Sequence, residues 1–164
     1  MLFVLLSANH PVQPMSIEIR DALPSDVDDI VRFNQSLASE TEGKILDEAR
    51  LRSGVARLLA ERQRGRYFLA VHDRQVVGST MITTEWTDWR DGWFWWIQSV
   101  YVEPEHRRRG VFGSLYGHIE RLAREAPDVR GLRLYVESDN QRAQDTYATL
   151  GMIMTGYRIM EAEF

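Results

Sequence analysis

The sequence contains no cysteine, and Lys44 is its single lysine among 164 residues. Without thiols the chain can form no disulfide bridge, no thiolate metal site and no cysteine nucleophile. No apolar run reaches the roughly 20 residues that a membrane-spanning helix needs. The apolar start at residues 2–6 also lacks the basic residues that precede a signal-peptide core. We therefore expect a cytoplasmic protein that has no membrane partner.

An excess of positive charge is also missing. Lys and Arg together number 20 against 24 Asp and Glu, which gives a net charge of −4. This balance argues against a nucleic-acid partner. The 44% of apolar residues fits one globular domain. Two prolines, Pro11 and Pro14, lie near the start, so residues 1–15 are predicted as an N-terminal extension and residues 16–164 as the domain.

The apolar pattern predicts alternating strands and helices in the order β-α-α-β-β-β-α-β-α-β. This order is typical of a mixed sheet with helices packed on it. Residues 86–92 are predicted as a loop between two strands, because they are polar and aromatic and contain an Asp-Gly turn signal. Asp139 is predicted to cap the last helix, and residues 152–163 are predicted as one or two closing strands.

The most informative stretch is residues 100–113, which predicts a strand end, a basic loop and the start of a helix. Unpaired backbone N–H groups at a helix N-terminus bind anions, and phosphates above all. The three arginines at 107–109 add ion pairing that suits several phosphates. Gly110 and Gly113 allow the backbone to approach a ligand closely. The alternative interpretation is a solvated basic turn that begins an amphipathic helix.

A second pattern lies on the last predicted helix. Asn140, Ala143, Tyr147 and Gly151 are spaced by three and four residues, so they share one face. Asn140 can hydrogen-bond a ligand that contains amides, and Tyr147 can offer its hydroxyl to the same ligand. The alternative is that Tyr147 belongs to the core.

Together these patterns resemble the GNAT superfamily of acyl-CoA-dependent N-acetyltransferases. The likeness rests on Val102-Glu103-Pro104, on the loop Arg107-Arg108-Arg109-Gly110-Val111-Phe112, and on the complete pattern Asn140, Ala143, Tyr147 and Gly151. Phe112 departs from the small residue that the family has at its position, and Gly113 is the nearest glycine. The tryptophan-rich strand is similar, to a lesser degree, to that of diamine acetyltransferases.

The resemblance implies an α/β (α+β) GNAT fold. It has a central mixed, mostly antiparallel sheet of six to seven strands, about four helices, and a strand splay at the acetyl-CoA site. It also implies acetyl-CoA as the co-substrate and no metal. The residues that it assigns to cofactor binding are Val100, Tyr101, Val102, Arg107, Arg108, Arg109, Gly110, Val111, Phe112, Gly113, Asn140, Ala143 and Tyr147.

In the family, the implied chemistry is direct transfer of an acetyl group to an amine. The N–H of Val100 would polarise the thioester carbonyl, a type of contact that can contribute roughly 2.7–4 kcal/mol. Val102 would hold the pantetheine arm. Tyr147 would donate a proton to the departing CoA thiolate, since a phenol with a pKa of about 10 is protonated at neutral pH.

The acceptor side has no obvious base. Trp96 and Gln98 occupy the positions where some family members carry a glutamate, so other carboxylates are needed. Glu85 and Glu42 are the candidates for binding or deprotonating the amine. The alternative for each is a solvated loop charge.

All five tryptophans fall within eleven residues, and their rings suit a cationic amine through cation–π contacts. They are Trp86, Trp89, Trp93, Trp95 and Trp96. Trp95 and Trp96 are expected on opposite faces of their strand. Hydrophobic packing or a dimer interface is the competing interpretation of the cluster.

The sequence thus predicts an N-acetyltransferase that acts on a small, cationic amine. A non-catalytic acyl-CoA-binding or sensor module is the alternative, and a nucleic-acid binder is a third hypothesis that the net charge disfavours. A covalent intermediate is not expected, because the chain has no cysteine and no activated serine. The oligomeric state stays open between a monomer and a homodimer.

Overall fold

The computed structural model describes residues 15–162, which form two compact units, residues 15–133 and residues 134–162. Apart from Met15, the predicted extension lies outside the described residues. Within them, no helix is both long and apolar enough to cross a lipid bilayer.

The first unit contains most of the strands and helices. They are β1 (Glu18–Asp21), α1 (Val27–Glu42), α2 (Glu48–Ala60), β2 (Arg66–His72), β3 (Gln75–Thr87), β4 (Gly92–Val102), α3 (Val111–Glu125) and β5 (Val129–Leu134), the last residue of which begins the second unit. Asp47 caps α2, since its carboxylate accepts a hydrogen bond from the backbone N–H of Arg50 at 2.9 Å. Gly43 ends α1 in the left-handed conformation.

The five strands of the described residues form one sheet in the order β1-β2-β3-β4-β5. β1 to β4 pair antiparallel with their neighbours, and α3 connects β4 to β5 along the chain. The predicted class, a mixed α/β fold with four helices, is confirmed. The predicted count of six to seven strands is too high by at least one for the part of the chain that the structure describes.

Helices cover both faces of the sheet. On one face, which we call the α1 face, Ile30, Val31 and Val55 form a buried cluster with Tyr67 and Leu69 of β2. The neighbouring Phe68 points to the opposite face, because successive side chains alternate along a strand. There its ring contacts His118 of α3, with centroids 5.3 Å apart. This second face is called the α3 face.

The loop predicted for residues 86–92 is shorter than expected. β3 runs on to Thr87, which pairs with Gly92, and Trp86 pairs with Trp93 inside the ladder. Only a short 3-10 turn at Asp88–Arg90 and the left-handed Asp91 lie between the strands. The aromatic and β-branched residues of this segment favour an extended strand over a loop.

The second unit contains α4 (Gln141–Thr149). Asn140, not the predicted Asp139, is its N-cap, and the Asn140 side-chain oxygen accepts a hydrogen bond from the N–H of Ala143 at 3.0 Å. The predicted closing strands are absent, since residues 152–162 form neither helix nor strand. A segment of apolar residues becomes a strand only where a neighbouring strand pairs with its backbone, and within the described part of the second unit none does.

Candidate active site

β4 carries a bulge beside the position predicted to contact the thioester. Met81 of β3 pairs with Gln98, but Ser79 pairs with Tyr101, so Thr80 lies opposite both Ser99 and Val100. Ser99 has a left-handed backbone with φ of 49°. A bulge interrupts the ladder and changes the direction of a strand. The predicted N–H donor Val100 therefore lies at an irregular point of β4.

The loop after β4 ends in an open helix N-terminus. Gly110, with φ of 85°, is the N-cap of α3, and no side chain caps the first turn. A left-handed residue followed by helical ones turns successive N–H groups toward a common point, which forms an anion-binding concavity. Val111 is 1% exposed, so only its backbone can reach a ligand. Phe112 packs its ring 6.2 Å from that of Tyr116.

The three loop arginines have different environments. Arg107 is held within the first unit, because its Nε donates to the carbonyl of Val102 at 2.8 Å and its Nη2 donates to Glu40 at 2.7 Å. Arg108 and Arg109 are exposed and form no ion pair with any residue that the structure describes. Their charges are thus available for a phosphate group.

Tyr101 faces α1. Its ring lies 5.1 Å from the ring of Phe33, and its hydroxyl donates to Oε1 of Glu40 at 3.2 Å. Burial raises the pKa of Tyr101, and the nearby Glu40 carboxylate adds to this effect. The hydroxyl therefore stays protonated at neutral pH, and only the backbone of Tyr101 can serve a ligand on β4.

Glu85 lies on the α1 face among aromatic side chains. Its Oε1 accepts from Arg133 Nη1 at 2.8 Å, and its Oε2 accepts from the indole N–H of Trp96. The Arg133 guanidinium stacks 3.9 Å from the ring centroid of Phe94. Gly131 makes room for that ring, since a Cβ built there would lie 2.8 Å from it. Both oxygens of Glu85 are thus in use.

The other acceptor-side predictions lie in different surroundings. Glu42, at the end of α1, pairs with Lys44 at 2.6 Å and is half exposed. Gln98 donates to the hydroxyl of Thr83 at 2.6 Å. An open depression of about 380 Å³ lies beside α1 and is lined by Gln35, Ser36, Ser39, Glu40, Lys44 and Ile45.

The tryptophans divide between the two faces of the hairpin, as predicted. Trp95 pairs with Thr84 and Trp96 with Thr83, so the two neighbours point to opposite faces. Trp86 and Trp93 pack edge to face with ring centroids 5.0 Å apart. Trp89 is 85% exposed at the turn.

In the second unit, Ala143 and Tyr147 share the half-buried face of α4. Burial raises the pKa of Tyr147. The side-chain oxygen of Asn140 caps α4, so a hydrogen bond from this side chain to a ligand would have to come from its amide N–H groups. Gly151 is left-handed, with φ of 82°, and its N–H bonds the carbonyl of Ala148 at 3.0 Å.

Sequence reasoning missed Arg133 and the contact between Glu40 and Arg107. The alternation of Leu132 and Leu134 was a usable signal for Arg133, because it places the residue between them on the other face of β5. No sequence signal joins Glu40 to Arg107, which lie 67 positions apart. No group of three His, Asp or Glu suited to a metal ion occurs among the described residues.

Comparisons with known proteins agree with this geometry. The sequence model of the acetyltransferase (GNAT) family matches residues 30–152. A possible acetyltransferase from Clostridium difficile 630 is 44% identical, with 90% of this chain and 97% of the other covered and a TM-score of 0.85. No curated protein sequence matches the chain significantly.

Two more distant structures share the fold. A predicted acetyltransferase with acetyl-CoA from Clostridium acetobutylicum is 18% identical, with 90% and 96% of the chains covered and a TM-score of 0.72. The ribosomal-protein-alanine N-acetyltransferase from Brucella melitensis biovar Abortus 2308 is 15% identical, with 91% and 99% covered and a TM-score of 0.72. On the family match and the 44% identity, the chain belongs to the acetyltransferase (GNAT) family, which supports acyl transfer from acetyl-CoA to an acceptor.

Proposed function

We propose that this chain is an N-acetyltransferase that moves the acetyl group directly from acetyl-CoA to a small, cationic amine. The observation that carries the proposal is the glycine-led N-terminus of α3, which no side chain caps, beside Arg108 and Arg109, which form no ion pair with any residue between 15 and 162. This arrangement can hold a chain of phosphates, and it directly follows the bulged strand β4.

The residues present fit acetyl-CoA. The backbone N–H groups of Gly110, Val111, Phe112 and Gly113, with the side chains of Arg108 and Arg109, would bind its phosphates. The backbones of Val100, Tyr101 and Val102 would hold the pantetheine arm, and Asn140 and Ala143 would take part from α4. Acetyl-CoA supplies a thioester, so a C–N bond to the acceptor forms, the C–S bond breaks and the thiol is released.

Two groups of this chain would serve the transfer itself. The N–H of Val100 would stabilise the negative charge that develops on the carbonyl oxygen. Tyr147 would protonate the leaving thiolate. The raised pKa of Tyr147 keeps its phenol protonated at neutral pH, and this is the form that a general acid needs.

On the acceptor side, Glu85 and Glu42 are the proposed carboxylates for amine binding or deprotonation. Glu85 is already fixed by Arg133 and Trp96, and a carboxylate has about four lone-pair sites, so it can accept a further donor. The ring of Trp96 beside it already lies 5.7 Å from the Arg133 guanidinium, so the carboxylate and not this ring is the contact proposed for the amine. A homodimer and cytoplasmic residence stay predictions.

The test is thiol release from acetyl-CoA across a panel of amines, with CoA binding followed separately by calorimetry. We expect binding without amine and release that depends on one class of amine. Glu85→Gln and Glu42→Gln should raise the KM for that amine, whereas the exposed Glu105→Gln should not. Binding without amine-stimulated release would favour the acyl-CoA sensor instead. An absence of CoA binding would exclude both functions.

A further inference from the structure

We propose that Arg107 is a positioning residue of the acetyl-CoA loop and not a phosphate ligand, and that Glu40 of α1 is its anchor. This inference deepens the proposed function and rests on it, since it says how the loop is held ready for the cofactor. It also separates Arg107 from the two neighbouring arginines, with which it shares only its charge.

The contacts of Arg107 all point back into the first unit. Its Nε donates to the carbonyl of Val102, at 2.8 Å, and its Nη2 donates to both oxygens of Glu40, at 2.7 and 3.0 Å. Its guanidinium also lies 5.4 Å from the ring centroid of Tyr101. One arginine thus joins the end of β4 to α1, and the planar guanidinium suits such multiple bonding.

These bonds close the turn between β4 and the basic loop. The N–H of His106 bonds the carbonyl of Glu103 at 2.9 Å, and the N–H of Arg107 bonds that of Pro104 at 3.3 Å. The Arg107 side chain then ties the start of this turn, Val102, to its end. Because the left-handed Arg108 follows directly, the direction of the next two side chains depends on where Arg107 is held.

Glu40 extends the connection to the acceptor side. Its Oε1 also accepts from the hydroxyl of Tyr101, at 3.2 Å, and its side chain lines the depression beside α1. The same carboxylate therefore contacts the loop, the strand and the depression. A displacement of Glu40 would therefore move Arg107 and change the position of the loop.

The test compares the CoA affinity of Arg107→Ala, Glu40→Gln and the double variant by calorimetry. The affinities are compared at a salt concentration high enough to screen the charge that each change removes, and a series of lower concentrations gives the salt dependence. Each single variant should weaken binding about two- to fivefold, the size expected for losing a partly exposed ion pair. The double variant should be little weaker than either single one, because both changes break the same connection.

Matched controls separate position from charge. Glu105→Gln makes the same chemical change two residues before Arg107, on an exposed side chain, and should leave affinity unchanged. Arg121→Ala removes an exposed arginine that pairs with Glu125 at 2.8 Å and should also have no effect. Arg109→Ala should reduce both the affinity and its salt dependence, as removal of a phosphate ligand does, whereas Arg107→Ala should leave the salt dependence intact.

Amide hydrogen exchange of the free protein gives a second readout. Arg107→Ala and Glu40→Gln should both speed exchange at residues 107–113, and α2 should keep its protection. Two results together would overturn the proposal: tighter CoA binding by Glu40→Gln and a lower salt dependence of CoA binding in Arg107→Ala. They would mean that Arg107 separates from Glu40 and binds a phosphate group itself. If the wild-type chain bound no CoA, the proposed function would fail, and unchanged exchange at residues 107–113 would independently refute the positioning role.

Discussion

Replacing Gly110 tests whether the left-handed backbone at the start of α3 is needed to bind the cofactor. Gly110 has φ of 85°, and a Cβ built on it meets no atom within 4 Å. A side chain therefore causes no clash, and the effect of an alanine, which cannot cap the helix, comes from the backbone conformation alone. This makes Gly110 a cleaner probe than a glycine that is packed against its neighbours.

The magnitude follows from that conformation. A left-handed L-residue costs roughly 1–2 kcal/mol, and asparagine tolerates this conformation better than alanine. Both substitutions also restrict the unfolded chain, which offsets about 0.4–1 kcal/mol of the loss. Both variants share this offset. The total loss of free energy, in unfolding and CoA binding together, should therefore be about 1 kcal/mol larger for Gly110→Ala than for Gly110→Asn, which is about fivefold in an equilibrium constant.

That difference can appear in either of two measurements. If alanine stays left-handed in the free protein, the free energy of unfolding falls; if the free loop relaxes, the affinity for CoA falls instead. Denaturant unfolding measures the loss in free energy of unfolding, calorimetry measures the loss in free energy of CoA binding, and the two losses together give the total effect of the substitution. Gly117→Ala, at an exposed position inside α3 with an equally open Cβ site, should stabilise the fold by about 1 kcal/mol and leave CoA affinity unchanged. Equal unfolding and binding for the Ala and Asn variants at 110 would refute the reasoning.

Three further outcomes are expected. Tyr147→Phe should lower thiol release about a hundredfold with CoA affinity intact, and equal rates in the two proteins would exclude its role as the acid. Because burial raises the pKa of Tyr147, the wild-type enzyme should keep this acid throughout the neutral pH range. Ser99→Val should destabilise the bulge by about 1–2 kcal/mol more than Ser99→Gly in urea unfolding, because both variants lose the serine hydroxyl but only the β-branched valine is strained at φ of 49°. The hydrogen bonds from Arg20 lower the pKa of Asp26. The difference in free energy of unfolding between the wild type and Asp26→Asn should therefore be full at neutral pH, and it should disappear as the pH falls from about 4 through this lowered pKa. A difference that is constant with pH would contradict this.

The features that could be predicted from the sequence are those that neighbouring residues determine. Asp47 caps α2, a role that an aspartate immediately before a helical stretch commonly has. The hairpin turn at Asp73 and Arg74 has both residues left-handed, with φ of 48° and 65°, as a two-residue hairpin turn requires. Gly151 ends α4 for the same local reason.

The features that escaped prediction depend on pairing between distant segments. The bulge at Ser99 exists only relative to the register of β3, and serine is not a residue that signals a left-handed backbone. Arg133 meets Glu85 across 48 positions. Likewise, the apolar residues among 152–162 favour a strand but cannot supply the neighbouring strand that would pair with it.

The acceptor-side carboxylates are already paired with cations, which changes the basis on which the proposed amine would be recognised. Of the two proposed carboxylates, Glu85 is paired with Arg133 and Glu42 with Lys44, so each carries little net charge with which to attract a cation from a distance. The ring of Trp96 already lies 5.7 Å from the Arg133 guanidinium, so the contact proposed at close range is with the unused lone pairs of Glu85. These lone pairs act only on a donor in direct contact. For the proposed amine acceptor, a cationic amine should therefore gain over a neutral one of equal size mainly in the bound complex and little in its rate of encounter.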